Sequence, residues 1–200
     1  MNYISDILYW ISTGLLVPVI VLLIFFFVRS LLLIGSFFGH YLSYRKTQAW
    51  MKEKITTLNA DNVLALANNL PTNQGLGMQY LKNILQTSNN PALRQCLLAN
   101  FEIEADKDLS LSKTLGKMGP MLGLMGTLIP MGPALVGLST GDIASMAYNM
   151  QVAFATTVVG LFAAAIGFIC QQVKQRWYLQ DMTNLEYIAA LMDQQENKEK

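Results

Sequence analysis

The sequence reads GPMLGLMGTLIPMGPAL over Gly119–Leu135 and VAFATTVVGL over Val152–Leu161. Both stretches are apolar, and both carry glycine and threonine at intervals of about one helical turn. Small residues on one helical face suit close helix packing or a narrow channel better than contact with lipid. The uncharged segments around them, Met118–Leu138 and Ile143–Val173, therefore predict a helical membrane protein.

Charged residues are few and unevenly placed. Of the 200 residues, 52% are hydrophobic and only 14% are charged, against about 25% charged residues in soluble domains. No Asp, Glu, Lys or Arg lies between Asp6 and Arg29, between Lys117 and Asp142, or between Asp142 and Lys174. Each gap is longer than the roughly 20 residues that a helix needs to cross a bilayer. The sequence thus predicts three transmembrane helices that contact the lipid bilayer. The net charge of +1 says nothing about nucleic acid or acidic ligands, and no nucleic-acid partner is expected.

The positions of the basic residues predict the orientation. They follow the first span, precede the second and follow the third: Arg45, Lys46, Lys52, Lys54, Lys107, Lys113, Lys117, Lys174 and Arg176. The N-terminal leader and the short connection Ser139–Ser145 carry none. The positive-inside rule therefore predicts an outside N-terminus and connection, with the middle segment and the C-terminal tail in the cytoplasm. Since no basic residue precedes it, we expect the first span to remain as a membrane anchor.

We predict an all-α fold built from long helices that extend beyond the membrane into a cytoplasmic helical bundle. The predicted segments are an N-terminal segment with the first transmembrane helix (1–45), a cytoplasmic helical domain (46–115), the second transmembrane helix (116–138), an outer connection (139–145), the third transmembrane helix (146–173), and a cytoplasmic C-terminal helix and tail (174–200). The first helix is expected to start near Ile7 and to bend at Pro18.

The middle segment contains helix signals and no enzyme motif. Short helices are expected at Asp61–Leu70 and Leu76–Leu85. Asn90 followed by Pro91 predicts the start of a longer helix, with the asparagine as its cap. No Gly-rich phosphate loop, metal-ligand cluster or nucleophile motif appears there, so we expect a protein that is not an enzyme.

Two stripes of small residues mark the second and third spans. The residues expected to form a packing or pore face are Gly116, Gly119, Gly123, Gly126 and Pro130 on the second span, and Ala153, Gly160, Ala164 and Gly167 on the third. Such spacing places residues on one helical face, and small side chains let backbones approach closely. Three spans offer too little surface to cover both stripes within one chain, so the sequence predicts an oligomer.

Thr127, Thr156 and Thr157 accompany these stripes and allow two interpretations. Each hydroxyl could bond back to a carbonyl one turn earlier, as is common in membrane helices. Alternatively, the hydroxyls face a polar group or water inside an assembly. Neither the second nor the third span carries a central Asp, Glu, Lys or His. Because proton relays in membranes depend on ionisable side chains, proton conduction would require a partner that brings the acid.

The two quoted stretches resemble the second and third transmembrane segments of the MotA, TolQ and ExbB proton channels. The similarity covers about Gly116–Gly167, and the three-span layout is closer to ExbB and TolQ. The resemblance implies a homopentameric ring in the inner membrane, around a single-span partner similar to ExbD, TolR or MotB that carries a membrane Asp. It further implies a molecular motor, in which protons crossing at that Asp drive rotation. No cofactor is implied; protons are the transported ion, with sodium an open alternative.

The resemblance also assigns residues to the ion path. Thr127 matches the threonine that follows Gly-x-x-Gly in the second span, and Thr157 matches the threonine three residues before the glycine of the third span, with Thr156 beside it. Gln151 stands near the position where ExbB and TolQ tend to carry a Glu. The roles of Arg29, His40 and Gln151 in ion uptake stay open. The process that is driven also stays open, and the alternative function is a non-conducting membrane scaffold.

Overall fold

The computed structural model describes residues 2–56, 58, 62–63, 66, 70, 75–87 and 90–198. These residues form five α-helices and no strand: α1 (Asn2–Gly14), α2 (Leu16–Ile55), α3 (Leu76–Gln86), α4 (Pro91–Thr140) and α5 (Ile143–Lys198). The all-α prediction is confirmed over this part of the chain. Three stretches are long and apolar enough to cross a membrane, as predicted: Ile7–Ile55, Pro91–Thr140 and Ile143–Glu196.

The first helical stretch starts earlier than predicted and is interrupted at Leu15. The amide of Leu15 donates to the carbonyls of both Ile11 and Ser12, at 3.1 Å each. Pro18 explains the break, because it has no N–H to donate to the carbonyl of Gly14 four residues earlier. The effect of the proline is therefore an interruption one turn upstream of it.

The helix signals of the middle segment are confirmed where the structure describes them. Helix α3 covers the predicted Leu76–Leu85. Helix α4 begins at Pro91, and the side-chain oxygen of Asn90 accepts the amide of Leu93 at 3.0 Å. The predicted helix at Asp61–Leu70 lies largely outside the described residues.

The chain divides into two compact units. The first unit comprises Met1–Gly35 and Leu111–Gln171, and the second comprises Ser36–Ser110 and Gln172–Lys200. In the first unit, Val19 and Leu23 of α2 pack against Leu122 of α4.

The second unit has a hydrophobic core in which α3, α4 and α5 take part. Leu81 and Ile84 of α3 are fully buried, as is Ile188 of α5. Phe101 of α4 packs edge-on against Tyr80 of α3, with ring centroids 5.5 Å apart. The buried members of this core are Met51, Leu58, Val63, Leu66, Met78, Leu81, Ile84, Leu85, Phe101, Leu185, Ile188, Ala189, Leu191 and Met192. The core fixes the start of α4 against the last third of α5.

A buried cation ties the first turn of α4 to the end of α5. The guanidinium of Arg94 is only 1% exposed; it donates to both carboxylate oxygens of Glu196, at 2.7 and 2.9 Å, and to Asp193. A further N–H of Arg94 donates to the carbonyl of Thr87 at 3.0 Å. The planar fork of arginine suits this arrangement, which lysine could not reproduce.

We expect Arg94→Met to lower the free energy of unfolding by about 2 kcal/mol. Breaking a buried ion pair typically costs about 3–5 kcal/mol, but Asp193 is 47% exposed and stays solvated. Thermal unfolding of the detergent-solubilised protein, followed by circular dichroism, measures the change. Lys107→Ala is the matched control, because the Lys107–Glu104 pair is exposed and such pairs contribute little. Equal effects of the two changes would contradict the structural role of Arg94.

Candidate functional site

A tight turn holds the second and third spans side by side. Gly141 has a φ of +77°, a conformation that favours glycine. The amide of Asp142 donates to the carbonyl of Gly137 at 2.8 Å, and the carboxylate of Asp142 caps α5 by accepting the amide of Ser145 at 3.0 Å. The turn reverses the chain within a few residues, so α4 and α5 run antiparallel.

The two small-residue stripes face one another. A Cβ atom added to Gly119 would lie 2.7 Å from the carbonyl oxygen of Gly160, and one added to Gly160 would lie 2.7 Å from the carbonyl oxygen of Gly119. A Cβ on Gly167 would lie 2.8 Å from the amide nitrogen of Gly116. The backbones of α4 and α5 are therefore in direct contact along the stripes, and only glycine permits that distance.

This pairing changes what the stripes imply. The prediction of an oligomer assumed that one chain could not cover both stripes. In the structure they cover each other: Ala153 is 2% exposed and Ala164 is 7% exposed, and Pro130 is fully buried. That premise is wrong, because the antiparallel pairing makes each stripe the partner of the other. The stripes alone thus give no reason for a second copy.

Thr156 belongs to this contact. It is buried, and a Cβ added to Gly126 would lie 2.6 Å from its Cβ and Oγ1 atoms. Its hydroxyl donates to the carbonyls of Val152 and Ala153, at 3.1 and 2.9 Å. The buried position of Thr156 opposite Gly126 favours a packing role. Its place in the ion path is a prediction from the resemblance only.

Thr127 and Thr157 lie on the edge of the contact, on the side away from α2. Leu122 and Ile129 form the side of α4 that packs against α2, and Thr127 lies about 140–160° around the helix from both. On α5, the ring of Phe162 packs against Phe27 of α2 with centroids 5.8 Å apart, and Thr157 lies about 140° from Phe162. Both threonines are partly exposed.

Both hydroxyls are bonded within their own helices. Thr127 Oγ1 donates to the carbonyl of Leu124 at 2.8 Å, and Thr157 Oγ1 donates to the carbonyl of Ala153 at 3.1 Å. The backbone bonds that the first interpretation predicts are therefore present in this chain. These bonds are compatible with the second interpretation, because a hydroxyl group that donates one hydrogen bond still has lone pairs that accept another.

The residues whose roles were left open are all exposed. Arg29 is exposed, with its guanidinium over the ring of Phe25 at 5.4 Å. Gln151 is exposed on α5. His40 is exposed in the second unit. None of the three forms a polar contact with Thr127 or Thr157 among the residues that the structure describes.

Ser112 is a buried polar residue of the first unit to which the sequence assigned no role. Ser112 on α4 is 0% exposed, and its hydroxyl has no hydrogen-bond partner among the described residues. A Cβ on Gly167 would lie 2.8 Å from the carbonyl oxygen of Ser112. Continuing the step of four back from Gly116 leads to this serine, so the stripe itself contained the signal.

Comparison with known protein families shows which family has this arrangement of helices. The sequence model of the MotA/TolQ/ExbB proton channel family matches residues 73–187, which is more than half of the chain. The chain belongs to the MotA/TolQ/ExbB proton channel family. The matched range contains both stripes and all three threonines. Together with the three apolar helices, family membership identifies a multi-pass membrane protein of a channel family rather than an enzyme family. A search of curated proteins gave no significant match.

Proposed function

We propose that this chain is the ion-conducting stator or motor subunit of a proton-driven complex. With a single-span partner similar to ExbD, TolR or MotB, it converts the transmembrane proton gradient into mechanical work at the cell envelope. Membership of the MotA/TolQ/ExbB proton channel family supports the channel function. The partner, the ring and the motor action are the parts that we add.

The observation that carries the proposal is the common position of Thr127 and Thr157. Two polar side chains lie on the side of the α4–α5 pair that faces away from α2, among exposed apolar residues such as Leu124 and Phe154. Each hydroxyl donates to its own helix, so it offers only lone pairs to a neighbour. Such a pair accepts hydrogen bonds from water or from a protonated carboxyl group.

The chain needs an external acid for this chemistry. Between Lys117 and Lys174 its only charged residue is Asp142, and the Asp142 carboxylate caps α5 at the turn. A transmembrane Asp of the partner would bind the proton. The lone pairs of Thr127 and Thr157 would then favour the protonated form, which donates a hydrogen bond, over the charged one.

The proposed assembly is a homopentameric ring with the two threonines lining its axis. Helix α2 packs on the opposite side of the α4–α5 pair, at Leu122 and Phe162, so it would lie at the periphery. The ring would sit in the inner membrane, with the N-terminus outside and with residues 46–115 and 174–200 in the cytoplasm. Protons are the proposed ion.

A non-conducting scaffold is the second candidate, and one observation favours it. The glycine stripes and the three threonine hydroxyls are satisfied by contacts within the chain. A scaffold needs no further function for them. It would assemble without an acid-bearing partner.

Co-expression with the neighbouring genes separates the two candidates. We expect native mass spectrometry of the detergent-purified complex to find a pentamer of this chain with a single-span protein whose hydrophobic segment contains an Asp. A homo-oligomer that retains no such protein would contradict the proposal and favour the scaffold.

A further inference from the structure

Asp181 of α5 is an acid held by neutral groups from two other helices. It lies beyond Lys174 and Arg176, outside the uncharged third span. Its Oδ1 atom accepts a hydrogen bond from the amide of Gln48 at 3.0 Å. The phenol of Tyr44, also on α2, lies 3.3 Å from the same atom and shares its one proton between Asp181 and the carbonyl of Trp177 at 3.0 Å. The ring of Tyr44 stacks on Trp177, one turn before Asp181, with centroids 4.5 Å apart.

Helix α3 covers the other side of this carboxyl group. A Cβ added to Gly77 would lie 2.6 Å from Oδ2 of Asp181, so the first turn of α3 rests directly on the carboxylate. The remaining titratable groups of α3 point elsewhere: Tyr80 packs against Phe101, and Lys82 is exposed. Asp181 is therefore hydrogen-bonded to α2 and in close contact with the backbone of α3, and it has no ion pair among the described residues.

A second acid of the same unit shows what Asp181 lacks. Asp108 of α4 accepts hydrogen bonds from Lys174 at 2.8 Å and from Tyr178 at 2.6 Å. Burial raises the pKa of Asp108, but these two bonds and the positive charge of Lys174 outweigh it and hold the pKa below its usual range. Lys174 and Tyr178 lie on the same helix as Asp181, but both donate to Asp108.

The charge of Asp181 is correspondingly unfavourable. Burial raises its pKa to about 6, while the bonds from Tyr44 and Gln48 lower it by less. Protonation removes the charge beneath α3 and leaves Oδ1 as an acceptor for both donors. Separation of α3 from α5 would return the carboxyl group to water and to an ordinary pKa.

We propose that Asp181 is a proton-operated latch that fastens α3 onto α2 and α5 when the surrounding compartment becomes acidic. The latch is closed most tightly when Asp181 is protonated and loosened when it is charged. It rests on the proposed function only in naming that compartment as the cytoplasm, the side into which protons would flow. The geometry of the latch is independent of ion conduction.

The sign of the pH effect follows from the raised pKa. The stabilisation of the closed state is fully present below the pKa of the opened acid, about 4. It is lost as the pH rises through about 6, the pKa in the closed state. Above that value the closed and open states are both charged, and the stability of the latch no longer changes with pH.

Hydrogen exchange of the α3 amides tests the latch without any measurement of ion flux. Asp181→Asn keeps the acceptor oxygen and cannot ionise, so it reproduces the protonated state. We expect the α3 amides of the wild-type chain to exchange more than about tenfold faster than those of Asp181→Asn at pH 7, since each unit of pKa shift corresponds to a factor of ten. The ratio should fall towards one as the pH is lowered to 4. Taking the ratio at each pH cancels the intrinsic pH dependence of exchange.

Glu186→Gln is the matched control, because Glu186 is an exposed acid on the same helix. We expect its α3 amides to behave as in the wild-type chain. A wild-type to Asp181→Asn ratio that stays constant from pH 4 to 8 would overturn the proposal. So would a Glu186→Gln profile equal to that of Asp181→Asn.

A second pair of variants tests the same site from α3. Gly77→Ala would push the Asp181 carboxyl group out of its position, whereas Gly75→Ala adds a methyl group with nothing within 4 Å. We expect Gly77→Ala to flatten the pH dependence of α3 exchange and Gly75→Ala to preserve it. The same pH dependence in both variants would overturn the latch even if Asp181→Asn fails to fold. A complex that conducts protons but shows no pH dependence of α3 exchange would overturn the latch alone. A complex that shows this pH dependence but conducts no protons would contradict the proposed function alone.

Discussion

Thr157→Val is expected to reduce proton flux through the assembled complex by about 10–100-fold. This is the factor that follows from the loss of one hydrogen bond to a charged group, which contributes about 1.5–3 kcal/mol. Valine has nearly the volume of threonine, but its side chain has no lone pair that could accept a hydrogen bond. Thr157 is partly exposed and lies on the side away from α2, so its packing should survive. Proton uptake by liposomes that contain the purified complex measures the change.

The neighbouring threonine supplies the control. Thr156→Val removes a hydroxyl with the same type of backbone bond, but this side chain is buried against Gly126. We expect its flux to be close to that of the wild type. Wild-type flux in Thr157→Val, with an unchanged native mass, would contradict the pore role and favour the scaffold.

The second large effect is expected from Gly160→Ala. The added Cβ would lie 2.7 Å from the carbonyl oxygen of Gly119 and 2.9 Å from the Cα atom of Gly123. Both are backbone atoms, so α4 and α5 must move apart. We expect the free energy of unfolding to fall by about 1–3 kcal/mol, the usual cost of overpacking. Thermal unfolding in detergent, followed by circular dichroism, measures it.

Gly116→Ala is the matched substitution on the facing stripe. Its Cβ would lie 3.7 Å from the nearest atom, the amide nitrogen of Phe168, which is an ordinary contact distance. Because alanine is a better helix former than glycine by about 1 kcal/mol, we expect no loss of stability, or a small gain. A similar loss in both variants would show that the close contact at Gly160 does not limit stability.

The helices of this protein could be predicted from its sequence because they depend on local properties. Uncharged runs longer than a bilayer identify the spans, and the Asn90–Pro91 pair marks the start of α4 through bonds made within one turn. The sequence predicts a bend at Pro18 within one continuous helix, whereas the structure has a break at Leu15. The break lies upstream because the hydrogen bond that a proline removes belongs to the carbonyl four positions earlier.

Which helix face packs against which other face could not be predicted in the same way. Spacing shows that the residues of a stripe share a face, but it does not say which face they meet. The tight turn at Gly141 and Asp142 decides that question, since it places one stripe against the other. The burial of Thr156 has the same origin: adjacent residues of a helix point about 100° apart, so Thr156 lies in the contact and Thr157 at its edge.

Long-range polar contacts were also beyond the sequence. Arg94 meets Asp193 across 99 positions, and Gln48 meets Asp181 across 133. Each of these residues is unremarkable within its own helix. The packing of the helices in the second unit decides their partners. It places Arg94 beside two carboxylates and Asp181 beside neutral donors.

The most direct test of the central proposal is proton uptake under an imposed membrane potential, compared between liposomes with the complete complex and liposomes with this chain alone. We predict uptake by the complete complex, its loss when the partner's membrane Asp is replaced by asparagine, and none by this chain alone, because its spans contain no acid. Uptake by the complete complex no faster than by empty liposomes would contradict the account.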